Sequence, residues 1–298
     1  MTKIGKAKIG ELSGIVLMLL AMGFLSTMDA IAKWLMEHSA TPIQLLALRS
    51  VIIVPCVILY FWLSGEKSEL TPTRPVAQAI RGVLGFIAPF SFFVGIHYLP
   101  LTAAVVVFFS SIFFTTLLSI IVLKEKVGVH RWMAVVMGYS GVALAMMPWS
   151  GGELKGYLLI LISSIAYSAL FISGKYLAKS ESVVSLVLSY NLGVGVVSLL
   201  LLPWFWQAIE WQMYLGVLLL TVFALAGHFA MTKAFSISEA SQITPFEYTG
   251  VLWTLLYDIV IWQIYPSQYT LLGAVIIIAS SLYVISRERA QRFNNRVS

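Results

Sequence analysis

Charge and cysteine are what this chain has least of. Only 11% of its 298 residues are Asp, Glu, Lys or Arg, against about 25% in ordinary soluble domains. A single thiol, Cys56, rules out a disulfide framework and a cysteine metal cluster. Set mid-run among apolar residues, it reads as a small buried hydrophobe. H-E-x-x-H and G-x-S-x-G are both missing, as is a clustered acidic metal set, and the polar connections are too short to build a catalytic constellation. That argues against a polytopic membrane enzyme and against any metal or organic cofactor. No G-x-x-x-x-G-K-[ST] loop occurs either, so ATP is not the expected energy source.

What fills the space is apolar sequence. The chain is 59% hydrophobic with a mean hydropathy of +0.91. About 20 mostly apolar residues cross a bilayer, and ten such runs follow one another, at 12–36, 43–63, 76–98, 102–122, 130–148, 155–178, 183–203, 211–233, 241–263 and 269–286. The expected fold is therefore an all-α integral membrane protein with ten transmembrane helices, its partners being the lipid bilayer and a small molecule. The first run follows Lys3, Lys6 and Lys8 as a signal peptide would. It is too long for a signal h-region and has no A-x-A-like cleavage site, so it reads as a retained helix.

The net charge of +6 could suggest nucleic acid, but its placement points to a membrane. Lys and Arg gather before the first run, in the even-numbered connections (Lys67, Arg74, Lys124, Lys126, Arg131, Lys179) and in the tail from Arg287 to Arg296. The odd-numbered connections hold almost none, Lys155 excepted. By the positive-inside rule both termini are expected to be cytoplasmic. Trp204, Trp206 and Trp211 at a run boundary read as an interfacial belt.

A shift of 142 residues superposes Leu12 on Leu154, Gly14 on Gly156, Ser26 on Ser168 and Lys33 on Lys175. The runs divide five and five around Ser150-Gly151-Gly152, giving halves 1–150 and 151–298. Five is odd, so the second half would enter the membrane from the opposite side. An inverted repeat of this kind suits alternating access around a midplane site.

Several stretches resemble the drug/metabolite transporter superfamily, in particular its EamA-type carriers. They are Met28-Asp29-Ala30 with Lys33, Arg49, Tyr98-Leu99-Pro100-Leu101-Thr102-Ala103-Ala104, Leu123-Lys124-Glu125-Lys126, Gly138-Tyr139-Ser140-Gly141, Pro245-Phe246-Glu247-Tyr248-Thr249 and Leu252-Trp253. The Asp29/Lys33 and Pro245–Tyr248 stretches are most similar to the branch that carries riboflavin and S-adenosylmethionine. The resemblance implies two five-helix repeats and carriage of a small organic metabolite. The chain departs from the family at the end of the ninth run, where Asp258 and Gln263 stand in place of a Gly and a Glu.

Each polar residue inside a run costs a few kcal/mol unless it is paired or hydrated. Asp29 and Lys33, four apart on one helix face, are expected to form an ion pair that a substrate or proton could open. Glu247, a turn from the helix-breaking Pro245, has no basic residue within four positions. It is the expected coupling or substrate group, with Lys233, Lys175 and Arg49 as candidate counter-charges. Arg49 must find an acid, backbone carbonyls or an anion. His228, Asn191, Tyr248 and Trp253 complete the candidate substrate or coupling set, and Asp258 is left open between a cavity and a tie to another helix. Gly82, Gly85, Gly138, Gly141, Gly193 and Gly195 are expected at close helix contacts.

The expected function is secondary active transport of an anionic, zwitterionic or amphipathic metabolite, by a monomer or homodimer in a bacterial inner membrane. A broad-specificity exporter of drug-like solutes is the nearest alternative. A channel or membrane enzyme is the alternative from another class.

Overall fold

A computed structural model describes residues 3–64, 72–124, 129–147, 153–177, 180–237 and 244–297, and among them there is no strand. The helices are α1 (Lys3–Glu37), α2 (Pro42–Leu63), α3 (Pro75–Tyr98), α4 (Leu101–Phe108), α5 (Ser111–Leu123), α6 (Val129–Ala145), α7 (Leu154–Leu177), α8 (Val183–Phe205) and α9 (Trp211–Ile237). A 3₁₀ turn at Thr244–Tyr248 then leads into α10 (Thr249–Trp262), followed by α11 (Gln268–Val297). Among the described residues, seven stretches are long and apolar enough to cross a membrane, the rod formed by α4 and α5 being one of them. The protein is thus an all-helical membrane protein. Glu125, together with the Ser150-Gly151-Gly152 break, lies outside the described residues.

The helices start where local chemistry allows. Thr41 caps α2, its hydroxyl accepting from Gln44 N, with Pro42 in the first turn where its missing N–H costs nothing. Ser182 caps α8 in the same way, accepting from Ser185 N at 3.0 Å. Pro245 falls in the 3₁₀ turn rather than in a regular helix, as its lost donor requires.

Packing pairs α1 with α9 and α3 with α7, while α2 meets α8 and α6 meets α11. Glycine sets the closest crossings. A Cβ on Gly82 would lie 2.8 Å from Gly193 Cα, and one on Gly141 would lie 2.9 Å from Gly273 O, so neither seam admits a side chain. Gly85, Gly138 and Gly195 also sit against neighbouring side chains. Trp204 and Trp211 are exposed, as a belt would be. Cys56 corrects an expectation: it lies on the exposed face of α2 rather than in the core, because Ile53 and Arg49 take the inward face of that helix.

Corresponding features recur along the chain. Ser26 of α1 donates to Gly250 O of α10 at 3.4 Å, and Ser168, the Ser26 mate under the 142-residue shift, donates to Ser111 O of α5 at 2.8 Å. Both rods also end alike. Lys124 (φ 55°, ψ 33°) closes α5 with its N–H on Ser119 O, and Gln263 (φ 57°, ψ 29°) closes α10 with its N–H on Asp258 O. These are left-handed caps on non-glycine residues, a conformation that L-residues other than Asn and Asp seldom adopt.

Candidate substrate site

Two sets of polar groups occupy the interior, and they behave differently. In the first, every charge is answered. Asp258 of α10 is 1% exposed. Its Oδ1 accepts from Leu101 N at 2.9 Å and its Oδ2 from Thr102 N at 2.7 Å, so a carboxylate from one helix caps the start of α4. The positive end of a helix dipole is where an anion is most stable. Lys33 of α1 donates to Leu99 O at 2.6 Å, lies 5.0 Å from the centre of the Trp262 ring, and interacts electrostatically with Asp258 and Glu37. Glu37 in turn accepts from Trp262 Nε1 at 2.6 Å. The expected Asp29–Lys33 ion pair does not form, because the Leu99 carbonyl at the end of α3 and the Asp258 charge together outbid one carboxylate a turn away. Asp258 proves to be a tie between helices.

In the second set the charges are unanswered. Arg49 of α2 is 4% exposed. Its Nε is buried with no partner, and no described residue forms a hydrogen bond or ion pair with the guanidinium. Its charge nevertheless acts on Asp29 of α1 and on His228 of α9, so three elements converge on it. Asp29 is half-buried and His228 exposed. Glu247 is also half-buried. No described residue bonds to its carboxylate, and its electrostatic neighbour is Tyr167 of α7, not the lysines proposed as counter-charges.

Aromatic rings bridge the two halves of this region. Phe109 meets Tyr248 edge-on at 5.0 Å, Phe108 lies 5.2 Å from Tyr167, and Trp253 stacks on Tyr257 at 6.4 Å. Tyr257 Oη and Thr27 Oγ1 share a hydrogen bond of 2.5 Å, tying α10 to α1. Gly23 lets Trp253 lie 3.4 Å from where a Cβ would be, and a Cβ on Gly85 would meet Tyr190 at 2.6 Å. Among the described residues no group of three or more His, Cys, Asp or Glu could hold a metal ion.

The profile of the EamA-like transporter family matches the chain twice, over residues 12–147 and again over 154–286. The chain belongs to the EamA-like transporter family. This EamA-like chain is 28% identical over 284 residues to the S-adenosylmethionine uptake transporter of Rickettsia conorii, covering 93% of this chain and 94% of the relative. It is 24% identical over 283 residues to the riboflavin transporter of Vibrio cholerae, at 93% and 94% coverage. A crystal structure of another protein superposes with a TM-score of 0.62 at 17% identity, over 97% of this chain and 99% of that one, a likeness of fold alone. The family and these relatives make the chain a transporter and not an enzyme.

Within this EamA-like fold the remaining predicted residues scatter. Lys175 and Lys233 are exposed, at the end of α7 and late in α9. Asn191 is buried but spends an amide N–H on Val187 O of its own helix at 2.9 Å, so it is less available than its position suggests. Tyr248 is buried and Trp253 39% exposed. Tyr190, read with Asn191 as a mid-span polar pair that could touch substrate, acts electrostatically on Arg81. Tyr167 escaped the sequence reading, because it looked like an ordinary span aromatic and only its approach to Glu247 from another helix marks it.

Proposed function

We propose that this chain is a secondary active transporter in a bacterial inner membrane, with ten spans arranged as two inverted five-helix halves and both termini cytoplasmic. It moves a small zwitterionic metabolite by alternating access. The pairing of Ser26–Gly250 with Ser168–Ser111, the matching caps at Lys124 and Gln263, and the double match of the family profile all support a duplicated architecture. The alternation of basic connections supports the inversion.

One observation carries the functional reading: Arg49 is buried near Asp29 with no hydrogen bond or ion pair to any described residue. A buried charge stripped of its partner costs about 3–5 kcal/mol, and a membrane core gives no water to relieve it. A chain retains such a group where a ligand supplies the missing partner. Arg49 would take a carboxylate, Asp29 an ammonium, and the aromatic pairs around Tyr248 and Trp253 a planar or apolar remainder. The S-adenosylmethionine uptake relatives fit that description, which makes S-adenosylmethionine the first ligand to test.

Glu247, with no counter-charge among the described residues and near Tyr167, is the group through which a proton or substrate gradient would drive the cycle. Glu247→Gln is expected to abolish gradient-driven transport while substrate binding and folding persist; full wild-type uptake would remove it from the mechanism. Thermal stabilisation against S-adenosylmethionine, riboflavin, amino acids, nucleosides and organic acids tests the substrate reading, since a ligand that binds only the folded state raises the midpoint. A carboxylate-bearing hit that disappears in Arg49→Met supports it. Stabilisation by carboxylate-free cations alone overturns it.

A further inference from the structure

The satisfied cluster around Asp258 lies at one end of the molecule, where α1 and α10 finish and α4 begins. It joins three elements from two halves of the chain. Lys33 and Glu37 come from α1, Asp258 and Trp262 from α10, and Leu101 and Thr102 from the start of α4, with Leu99 in the connection from α3 just before it. Its bonds are short and mostly charge-assisted, and its buried atoms are closed to solvent: Asp258 is 1% exposed, Thr102 0% and Lys33 4%. The matching caps identify its counterpart at the opposite end. Asp258 accepts the Gln263 cap N–H through its backbone as Ser119 accepts that of Lys124, so the position equivalent to Asp258 is Ser119. A hydroxyl stands there, and it bonds to Thr116 O of its own helix at 2.8 Å. Lys175, the mate of Lys33, is exposed. The counterparts of the α4 donors lie outside the described residues, but the acid itself belongs to one half only.

We propose that Asp258 and Lys33 form a one-sided electrostatic latch: the carboxylate grips the N-terminus of α4, the ammonium grips Leu99 O, and together they hold this end of the transport path shut. This rests on the alternating-access reading given above. In a carrier that rocks, each end must open in turn, and an end closed by charge-assisted bonds opens less readily than one closed by apolar packing. The latch therefore biases the resting protein toward opening at the opposite end. It also gives the departure at Asp258 a purpose that a capping role alone would not require, since Pro100 already starts α4 and a local Ser or Asp could have capped it.

The test is one-sided thiol labelling of the full chain in membrane vesicles of both orientations. The native Cys56 is replaced by Ala, and Thr27→Cys on α1, below the latch, serves as the reporter for a membrane-impermeant maleimide. With the latch intact, labelling is expected to be slower from the Asp258 face than from the other. Asp258→Asn and Lys33→Met are each expected to raise the rate from the Asp258 face by about tenfold, the value of one charged hydrogen bond, and to leave the rate from the other face unchanged. An unchanged rate from the Asp258 face in both variants overturns the latch, and so does an equal rise from both faces, which would mark general loosening. If Asp258→Asn does not accumulate as folded protein, Lys33→Met and Asp258→Glu decide by the same criteria. Failure of the underlying carrier reading looks different: the reporter with its latch intact would label equally fast from both faces, as in a continuous pore.

Discussion

Asp258 and Arg49 are both buried ions in an apolar bundle, and the protein treats them in opposite ways. Asp258 receives two backbone N–H groups at the head of α4. Arg49 receives nothing from any described residue. Desolvation is comparably expensive for both, so the difference must come from what each ion is for. A carboxylate tied to another helix contributes to structure, whereas a guanidinium left open beside Asp29 is available to something that arrives. Burial alone therefore does not separate an ion tied within the bundle from one with no bond to any described residue; the count of satisfied lone pairs and donors does.

The contrast breaks first at Asp258. Asp258→Ala strands two N–H groups of α4 and leaves Lys33 only the weaker support of Glu37, so a loss of about 3 kcal/mol in folding stability is expected, read as a lowered thermal midpoint in detergent. Arg49→Met should do the reverse. It replaces an unanswered ion with an apolar side chain of similar length, leaving the midpoint unchanged or raised, while uptake of the substrate falls about 100-fold with the loss of a charged contact. Should Arg49→Met unfold the protein while Asp258→Ala leaves it stable, the two assignments exchange places.

A third acid sharpens the comparison outside the membrane. Glu181, in the connection before α8, accepts from Arg74 N at 2.6 Å, Thr73 Oγ1 at 2.7 Å and Thr73 N at 3.1 Å. Burial alone would push its carboxyl up, but these bonds and one from Gln78 outweigh it and hold the carboxyl down at about 2. The folded value lies below the ordinary 4.5, so the bracket adds stability above that pH and loses it as pH falls from 4.5 toward 2. The midpoint of the native protein should therefore drop over that window more than that of Glu181→Gln, by a small margin. Equal acid limbs in the two proteins would show that the bracket contributes nothing.

Much of the helical layout was legible without coordinates. The run drawn at 76–98 is α3 at Pro75–Tyr98 and that at 155–178 is α7 at Leu154–Leu177, while Ser26 and Ser168 each donate to a backbone carbonyl of another helix. Arg49 and Glu247 were also visible as charges without local partners. Partnership across helices was not visible. Spacing of four puts Asp29 and Lys33 on one face, but it cannot say that Leu99 O will stand closer to the ammonium than Asp29 does. Cys56 was misplaced for a related reason. In a bilayer both faces of a helix are apolar, so the hydrophobic pattern carries little information about which one faces the core.

What the sequence determined by itself is therefore what depends on composition over short distances: which stretches are apolar enough for a membrane, where Pro245 interrupts a helix, and which polar residues are stranded in apolar runs. What only the tertiary structure decided is which of those residues meet. That follows from glycine-seated crossings such as Gly82 on Gly193 and Gly141 on Gly273, which fix the rotation and depth of each helix against its neighbour. Asp258 reaches α4, and Arg49 faces Asp29 without a bond, because rigid helices packed at those crossings bring the two residues there.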